Sequence, residues 1–124
     1  MMSTQAIANN VSELDDQLNR QVLAGDILGA FDRFYAEGVV MQENNAEPVV
    51  GKAANRAREE AFLASVEQFH GARVLSTAVN GNVTFSEWEL DATYKGAGRI
   101  LLAQVAVREW KDGLVVRERF YYGK

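Results

Sequence analysis

Cysteine is absent from this chain of 124 residues, and histidine occurs once. The lack of cysteine excludes disulfides, thiolate metal clusters and thiol nucleophiles, and a single histidine excludes sites that need several imidazole ligands. No acidic loop of the calcium-binding type is visible in the sequence either. We therefore expect a protein that uses no metal and no cofactor.

Long apolar runs and clusters of basic residues are missing as well. No stretch approaches the length of a membrane span, and the opening MMSTQAIANN lacks the basic start and apolar core of a signal peptide. A net charge of -4 without any Lys/Arg run argues against a nucleic-acid partner. The sequence predicts a cytoplasmic protein that binds neither nucleic acid nor membrane.

The chain does have enough apolar material for a core. Hydrophobic residues make up 48% of it, which at this length favours one packed unit over a disordered chain. No internal repeat, low-complexity segment or linker divides it. We expect a single domain over residues 1–124.

Helical patterns fill the first half of the chain. Apolar residues at helical spacing predict a first helix that is capped by Ser12 and ends at Gly25. They predict a second helix that is capped by Asp26 and ends at Gly38. The segment Lys52 to Phe69 contains no Pro or Gly and predicts a third helix. In that helix, small residues keep one side slim, which predicts close packing of this side against a sheet; they are Ala53, Ala54, Ala57 and Ala61.

Strand patterns fill the second half. A short strand is predicted at Val39 to Glu43, and after Gly71 come hairpins separated by Asn-Gly, Lys-Gly-Ala-Gly and Asp-Gly turns. The predicted hairpin strands are Ala72 to Val79, Val83 to Tyr94, Arg99 to Trp110 and Leu114 to Tyr122. Strands of about twelve residues exceed the usual length, so the sheet should be strongly twisted and curved. The fold class expected is α+β, with three N-terminal helices packed on a strongly curved sheet.

Alternation along the strands sorts the side chains into two faces. One face is rich in aromatic residues and predicts the lining of a pocket, with Trp88, Tyr94, Phe120 and Tyr122. The opposite face carries an apolar stripe of Leu101, Ala103, Val105 and Val107. Because no helix remains to cover that stripe, it predicts a homodimer formed through the outer sheet face.

The order of elements, three helices followed by a curved antiparallel sheet, resembles the nuclear transport factor 2-like superfamily and, within it, the bacterial SnoaL-like proteins. The segments that carry the resemblance are FYAEGVVMQENN, PVVG and DGLVVRERFYYG. The resemblance runs from about Leu14 to Gly123. It implies a mixed or antiparallel sheet that forms a cone with an internal apolar pocket, and dimerisation through the outer face. Members include ketosteroid isomerases, polyketide cyclases, epoxide hydrolases, dehydratases and non-catalytic proteins, so the fold leaves the activity open.

The resemblance also implies which activities to exclude. The positions of the ketosteroid isomerase base, acidic donor and tyrosine are matched here by Gln42, Ala106 and Leu18, which cannot supply that chemistry. The polar positions of limonene-type epoxide hydrolases are matched by Trp88, Leu90 and Phe120. We expect neither activity.

Glu118 is the one carboxylate that alternation places inside, and it is the candidate acid or base. Gln42, placed on the same side by the resemblance, is the candidate that orients a ligand carbonyl or a water. Arg108, on the neighbouring strand, offers an alternative in which Glu118 and Arg108 form a buried ion pair of purely structural value. The alternative for Gln42 is a hydrogen bond to nearby backbone.

Further residues are predicted to contact the ligand, and no residue is predicted to bind metal. The predicted contacts are Phe34, Val40, His70, Trp88, Leu90, Gln104, Ala106, Arg108, Phe120 and Tyr122. An alternative for the aromatic members is ordinary core packing. An alternative for His70 is stabilisation of the C-terminus of the third helix.

Two functions follow from these observations. The first is a small-molecule pocket protein of the SnoaL-like type, whose expected activity is the cofactor-independent isomerisation, cyclisation or dehydration of an apolar carbonyl ligand by acid/base chemistry. The second is a non-catalytic ligand-binding or dimeric interaction module.

Overall fold

Three helices and a six-stranded sheet make up the computed structural model, which describes residues 4–123. The elements are α1 (Thr4–Leu23), α2 (Ile27–Phe34), β1 (Tyr35–Glu43), β2 (Val49–Val50), α3 (Lys52–Ser65), β3 (Val66–Asn80), β4 (Val83–Tyr94), β5 (Gly98–Lys111) and β6 (Leu114–Tyr122). The helices pack on a mixed sheet that does not close. The predicted α+β class is confirmed.

The strand order in the sheet is β2-β1-β6-β5-β4-β3. β3 to β6 form an antiparallel meander, and β1 joins the other side of β6 in the parallel direction. The turn between β5 and β6 has positive φ at both Asp112 and Gly113, the conformation that an Asp-Gly pair favours in a two-residue hairpin. The predicted hairpin between β5 and β6 is therefore present.

The first two helices differ from the predicted ones at their ends. Ser12 lies inside α1, which extends to Thr4, and so it does not cap that helix. α2 is capped as predicted by Asp26, whose carboxylate accepts a hydrogen bond from the backbone N–H of Gly29 at 3.1 Å, but it ends at Phe34, not at Gly38. The next residues already belong to β1, because pairing with β6 satisfies their backbone groups.

No helix within residues 4–123 is both long enough and apolar enough to cross a membrane.

The third helix ends at Ser65, so the predicted extension to Phe69 is wrong. Residues 66–71 instead open β3, where Phe69 pairs with Ala92 of the long strand β4. The alanine stripe of this helix is also exposed and does not pack on the sheet. The buried residue is Asn55, and the side that faces the sheet continues through Glu59 to Phe62.

The main core lies between α1, α2 and the neighbouring parts of β1, β5 and β6. Phe34 and Trp110 meet edge to face there, with ring centroids 6.2 Å apart. The buried core consists of Val11, Leu18, Ala30, Phe31, Phe34, Tyr35, Val39, Met41, Trp110 and Val115. This cluster packs the helices against the inner face of the sheet. A cavity lies beside it on the same face, and Leu18, Ala30, Phe31 and Tyr35 border both.

The outer face of the sheet carries the predicted apolar stripe. Leu101 is 63% exposed, Ala103 is exposed, and Val105 and Val107 are half-buried. The stripe belongs to β5, which pairs with β4 on one side and β6 on the other, and it lies on the face opposite to the helices. It is therefore a continuous apolar surface in the single chain.

Candidate functional site

A cavity of about 340 Å³ lies between the helices and the inner face of the sheet. Its walls are Leu18, Val22, Ile27, Ala30, Phe31, Tyr35, Glu43, Arg58, Glu59, Phe62, Trp88, Leu90, Leu102, Gln104, Arg108, Glu118 and Phe120. Most of these side chains are apolar, and a few polar groups converge among them. The volume falls at the lower end of the range found for small-molecule sites.

Several residues predicted from the sequence meet at this cavity. Those on its walls are Glu118, Trp88, Leu90, Gln104, Arg108 and Phe120. Ala106 is buried on the same face of β5, opposite Phe120, but it is not part of the wall. Strand alternation therefore identified the inner face of β4, β5 and β6.

Gln42 lies on the other face of β1, so its predicted place inside the cavity is wrong. In the parallel register Met41 lies opposite Glu118, whereas Gln42 lies opposite the outward-facing Arg119. The Gln42 amide donates a hydrogen bond to the backbone carbonyl of Ala46 at 3.0 Å. The structure thus gives Gln42 the backbone contact of the alternative interpretation.

Val40 and Phe34 are also outside the cavity. Val40 is half-buried on the same side of β1 as Gln42. Phe34 is fully packed into the main core against Trp110, which leaves no face of its ring for a ligand. The prediction that these two residues line the cavity is wrong.

His70 and Tyr122 lie away from the cavity wall. Because α3 ends early, His70 is on β3, exposed, with its Nε2 2.7 Å from the hydroxyl of Thr93. Both predicted positions for His70, at the end of a helix and at the cavity, are therefore wrong. Tyr122 donates its hydroxyl hydrogen to Glu43 Oε1 at 3.1 Å and so contacts a residue of the wall without belonging to it.

Glu118 is the centre of a buried polar network. Its Oε2 accepts hydrogen bonds from the Tyr35 hydroxyl and from Arg108 Nε, both at 2.6 Å. Arg108 lies directly opposite Glu118 in the register, and its Nη1 donates to Asp15 Oδ1 at 2.8 Å and to Asn19 Oδ1 at 2.6 Å. One guanidinium thus connects two carboxylates in a site closed to water.

Asp15 is itself held by a second set of contacts. Thr84 donates its hydroxyl hydrogen to Asp15 Oδ1 at 2.9 Å, and Trp110 Nε1 donates to the Thr84 oxygen at 2.9 Å. Neither Asp15 nor Asn19 was predicted from the sequence. The signal was present, because Asp15 and Asn19 are spaced i, i+4 and lie on the same side of the helix as the apolar Leu18.

The charges of this network determine the protonation of its neighbours. Burial raises the pKa of the Tyr35 hydroxyl well above its usual range, and the negative charge of Glu118 raises it further, so Tyr35 remains a donor. Burial by itself would lower the pKa of Arg108, but its electrostatic interactions with Tyr35, Glu118 and Asp15 outweigh that effect and raise the pKa. Arg108 is therefore a permanent cation.

The second carboxylate oxygen of Glu118 is different. Glu118 is 1% exposed, and its Oε1 is buried with no hydrogen-bond partner among the described residues. A buried oxygen without a donor costs free energy, which a ligand or a water in the cavity can recover by donating to it. Glu118, a residue of the cavity wall, therefore keeps one carboxylate oxygen without a donor while its other oxygen is fixed.

Charged residues also occur where the cavity approaches the surface. Glu43 and Arg58 form an ion pair at 3.4 Å, with 48% and 31% of their side chains exposed. Glu59 on α3 is half-buried beside them, and the sequence analysis missed it. Burial raises the pKa of Glu59 to about 7; the charge of Glu118 adds to the effect, Arg58 opposes it and Glu43 adds a smaller contribution. Within residues 4–123, no three His, Cys, Asp or Glu side chains form a metal-binding cluster.

Solved structures share this architecture. A candidate SnoaL-like polyketide cyclase from Mesorhizobium loti is 27% identical, with 90% of this chain and 98% of that chain covered and a TM-score of 0.83. An NTF-2 like protein of unknown function from Burkholderia xenovorans LB400 is 19% identical, with 95% and 86% covered and a TM-score of 0.75. An LEH-like epoxide hydrolase from Mycobacterium tuberculosis is 14% identical, with 94% and 84% covered and a TM-score of 0.75. The fold is thus of the nuclear transport factor 2-like class.

The sequence itself assigns the family. The profile of the SnoaL-like domain matches residues 2–122, so the chain belongs to the SnoaL-like domain family. No curated protein sequence matches the chain. The predicted family and fold are confirmed.

Proposed function

We propose that this protein binds an apolar small molecule bearing a carbonyl group and catalyses a cofactor-independent proton transfer on it, as in isomerisation, cyclisation or dehydration. The observation that carries the proposal is Glu118 itself, a residue of the mostly apolar cavity wall whose Oε1 is buried without a hydrogen-bond partner among the described residues. In this role Glu118 is the general base, which removes a proton from the carbon next to the ligand carbonyl.

The contacts of Glu118 suit that role. Its Oε2 is held by Tyr35 and Arg108, so the carboxylate is already oriented before a ligand enters. Its Oε1 remains available to accept a proton. The walls around it are mostly apolar, and in such surroundings the interaction of the charged base with the ligand is stronger than in water.

The family is consistent with this chemistry but does not specify it. The Mesorhizobium loti structure carries a polyketide cyclase name, and the Mycobacterium tuberculosis structure an epoxide hydrolase name. One fold supports several activities, so the argument depends on the site. Here the site offers a carboxylate base and an apolar cavity.

Hydrogen–deuterium exchange into 2-tetralone tests the proposal without knowledge of the natural ligand. This bicyclic ketone is apolar and enolisable, and NMR in D₂O follows the loss of the protons next to its carbonyl. We expect the protein to accelerate exchange over buffer, and Glu118→Gln to lower the protein-dependent rate about 100-fold, the usual contribution of a general base. Equal protein-dependent rates for the two proteins would contradict the proposal.

Glu118→Gln is expected to fold, because Arg108 keeps its ion pair with Asp15. Circular dichroism and a thermal melt check this. Glu109→Gln, an exposed residue on the outer side of β5, serves as the matched control and should exchange 2-tetralone like the unmodified protein.

A non-catalytic binding protein is the second candidate. It is favoured by the ion pair between Glu118 and Arg108, because a buried pair of this kind also has a purely structural explanation. For such a protein, 2-tetralone should quench the fluorescence of Trp88 in the cavity wall, yet exchange no faster than in buffer.

We also propose that two copies of the chain associate through the outer sheet face. The support is the exposed apolar stripe from Leu101 to Val107, which the single chain leaves uncovered. Burial of such a stripe between two copies would remove it from water at both chains.

A further inference from the structure

Glu59 is a second carboxylic acid in the cavity wall that contains Glu118. It projects from α3, one helical turn after the buried Asn55 and three residues before Phe62, which also lines the cavity. It is half-buried, whereas its chain neighbour Glu60 is exposed. Glu59 therefore belongs to the cavity side of the helix, and Glu60 to the solvent side.

The cation beside Glu59 is engaged elsewhere. Arg58, the preceding residue on α3, forms its ion pair with Glu43 of β1. The Tyr122 hydroxyl donates to the same Glu43 carboxylate. Among the described residues, Glu59 itself takes part in no ion pair, so its charge would be poorly compensated.

The groups on the sheet side do not compensate that charge either. Glu118 of β6 is an anion in the same wall, and Arg108 of β5 is already bound to Glu118 and Asp15. Tyr35 of β1 donates its only hydroxyl hydrogen to Glu118. Burial beside an anion favours the neutral form of a carboxylic acid.

We propose that Glu59 is the proton donor of this site, which protonates the carbonyl oxygen of the ligand while Glu118 removes a proton from the adjacent carbon. The proposal rests on the proposed function, because it assigns the acid that complements the Glu118 base. The ligand class is a neutral, apolar, enolisable ketone. The mostly apolar wall and the carboxylate of Glu118 disfavour an anionic ligand.

Protons balance in each of the two steps of the reaction. In the first step the C–H bond breaks, Glu118 takes the proton, and the electron pair forms the enol C=C bond as the carbonyl oxygen takes the proton of Glu59. In the second step Glu59 takes back the enol proton, and Glu118 returns its proton to the same carbon or to an allylic carbon. Nothing is oxidised or reduced, so no further reactant is needed.

The acidity of Glu59 suits this cycle. Burial, reinforced by the charge of Glu118, raises its pKa to about 7. At neutral pH a substantial share of Glu59 is therefore protonated and able to donate, and a donor with a pKa near the working pH is the most effective one. Two carboxylic acids in different surroundings thereby take opposite roles.

Binding of a fluorescent ketone tests the donor independently of turnover. The probe is 6-propionyl-2-(dimethylamino)naphthalene, whose emission shifts when its carbonyl accepts a hydrogen bond. We expect its affinity to fall about tenfold between pH 6 and pH 8.5, as Glu59 loses its proton and can no longer donate. Glu59→Gln, whose amide donates at every pH, should bind the probe equally at both.

Two further variants make the assignment specific. Glu60→Gln, on the solvent side of the same helix, should reproduce the pH dependence of the unmodified protein. Glu118→Gln should keep the fall in affinity but move its midpoint to lower pH, because the charge that helps to raise the pKa of Glu59 is gone. A pH-independent affinity in the unmodified protein, or a fall that persists in Glu59→Gln, overturns the donor assignment.

The outcomes separate this proposal from the proposed function. Loss of 2-tetralone exchange in Glu118→Gln together with unchanged exchange in Glu59→Gln would keep the base and refute the donor. A pH-dependent probe affinity that vanishes in Glu59→Gln, without any catalysed exchange, would keep the donor as a binding group and refute the enzyme. No binding of the probe at pH 6 would refute the ligand class.

Discussion

At the scale of single residues, two glutamates of the cavity wall differ in the side chains that surround them. Glu118 is deeply buried, yet Arg108 and Tyr35 hold one of its oxygens. Glu59 is less buried, but it has no comparable partner, and its pKa is raised to about 7. Burial is the main cause of the raised pKa of Glu59, and among the described residues no cation is bound to its carboxylate as Arg108 is bound to that of Glu118.

This difference predicts how stability changes with pH. The ordinary pKa of Glu59 is 4.5 and its folded value is about 7, so the native state holds the proton more tightly than the unfolded chain does. The resulting stabilisation is fully present below pH 4.5 and is lost as the pH rises through 7. Glu59→Gln removes the titration, so it should be stabilised relative to the unmodified protein by about 2 kcal/mol at pH 8 and by little at pH 4.

Urea unfolding at the two pH values measures the effect. Glu60→Gln, exposed on the same helix, should leave the free energy of unfolding nearly unchanged at both. A Glu59→Gln variant with the same stability gain at pH 4 and pH 8 would show that Glu59 titrates normally.

At the scale of elements, the orientation of α3 decides what this helix presents to the cavity. Asn55 is fully buried, and its Nδ2 donates to the carbonyls of Val49 at 3.0 Å and Gly51 at 2.9 Å. These bonds join the start of α3 to β2 and to the preceding turn. Because Glu59 lies one turn later on the same side of the helix, this attachment also directs Glu59 toward the cavity.

Asn55→Ala is therefore expected to loosen the start of α3. It leaves the carbonyls of Val49 and Gly51 without this donor, which should lower the free energy of unfolding by about 2 kcal/mol. Urea denaturation measures the loss. Gln68→Ala, exposed on β3, is the control and should change stability by less than about 0.5 kcal/mol. A loss for Asn55→Ala no larger than for the control would show that water replaces the bonds.

Elements governed by local chemistry could be predicted from the sequence. The Asp112-Gly113 turn fixes a hairpin by itself, and alternation on β4 and β6 then places Trp88 and Glu118 on the inner face. Gln42 was misplaced because the face of β1 depends on its parallel register with β6, which no local pattern encodes. Glu59 was missed because two features of α3 depend on tertiary contacts. Residues 66–71 pair with β4 and do not continue the helix, and the alanines of the helix lie on its exposed side.

At the scale of the whole molecule, the outer sheet face is left uncovered by the described residues of the single chain. Its apolar stripe, from Leu101 to Val107, is flanked by ion pairs between β3 and β4 and between β4 and β5. An apolar centre with a charged border is the usual composition of a protein interface. The dimer, the cytoplasmic location and the absence of nucleic-acid and membrane partners stay predictions.

Leu101→Lys tests the dimer. Leu101 is 63% exposed, so a lysine there should leave the fold of each chain intact while placing a charge in the proposed interface. Sedimentation velocity at micromolar concentration should show a dimer for the unmodified protein and a monomer for the variant. Leu23→Lys, an exposed leucine at the end of α1, should remain dimeric. A monomeric unmodified protein would contradict the proposal.

The buried polar network has a further consequence, for the order of events in folding. Its hydrogen bonds join residues 93 positions apart, Asp15 and Arg108, and 83 positions apart, Tyr35 and Glu118. During synthesis α1 therefore leaves the ribosome long before β5, whose Arg108 neutralises Asp15 of that helix. Contacts so distant along the chain make folding slow. The oriented base requires β1, β5 and β6 together, so a fragment that lacks any one of these strands does not hold Glu118 in this way.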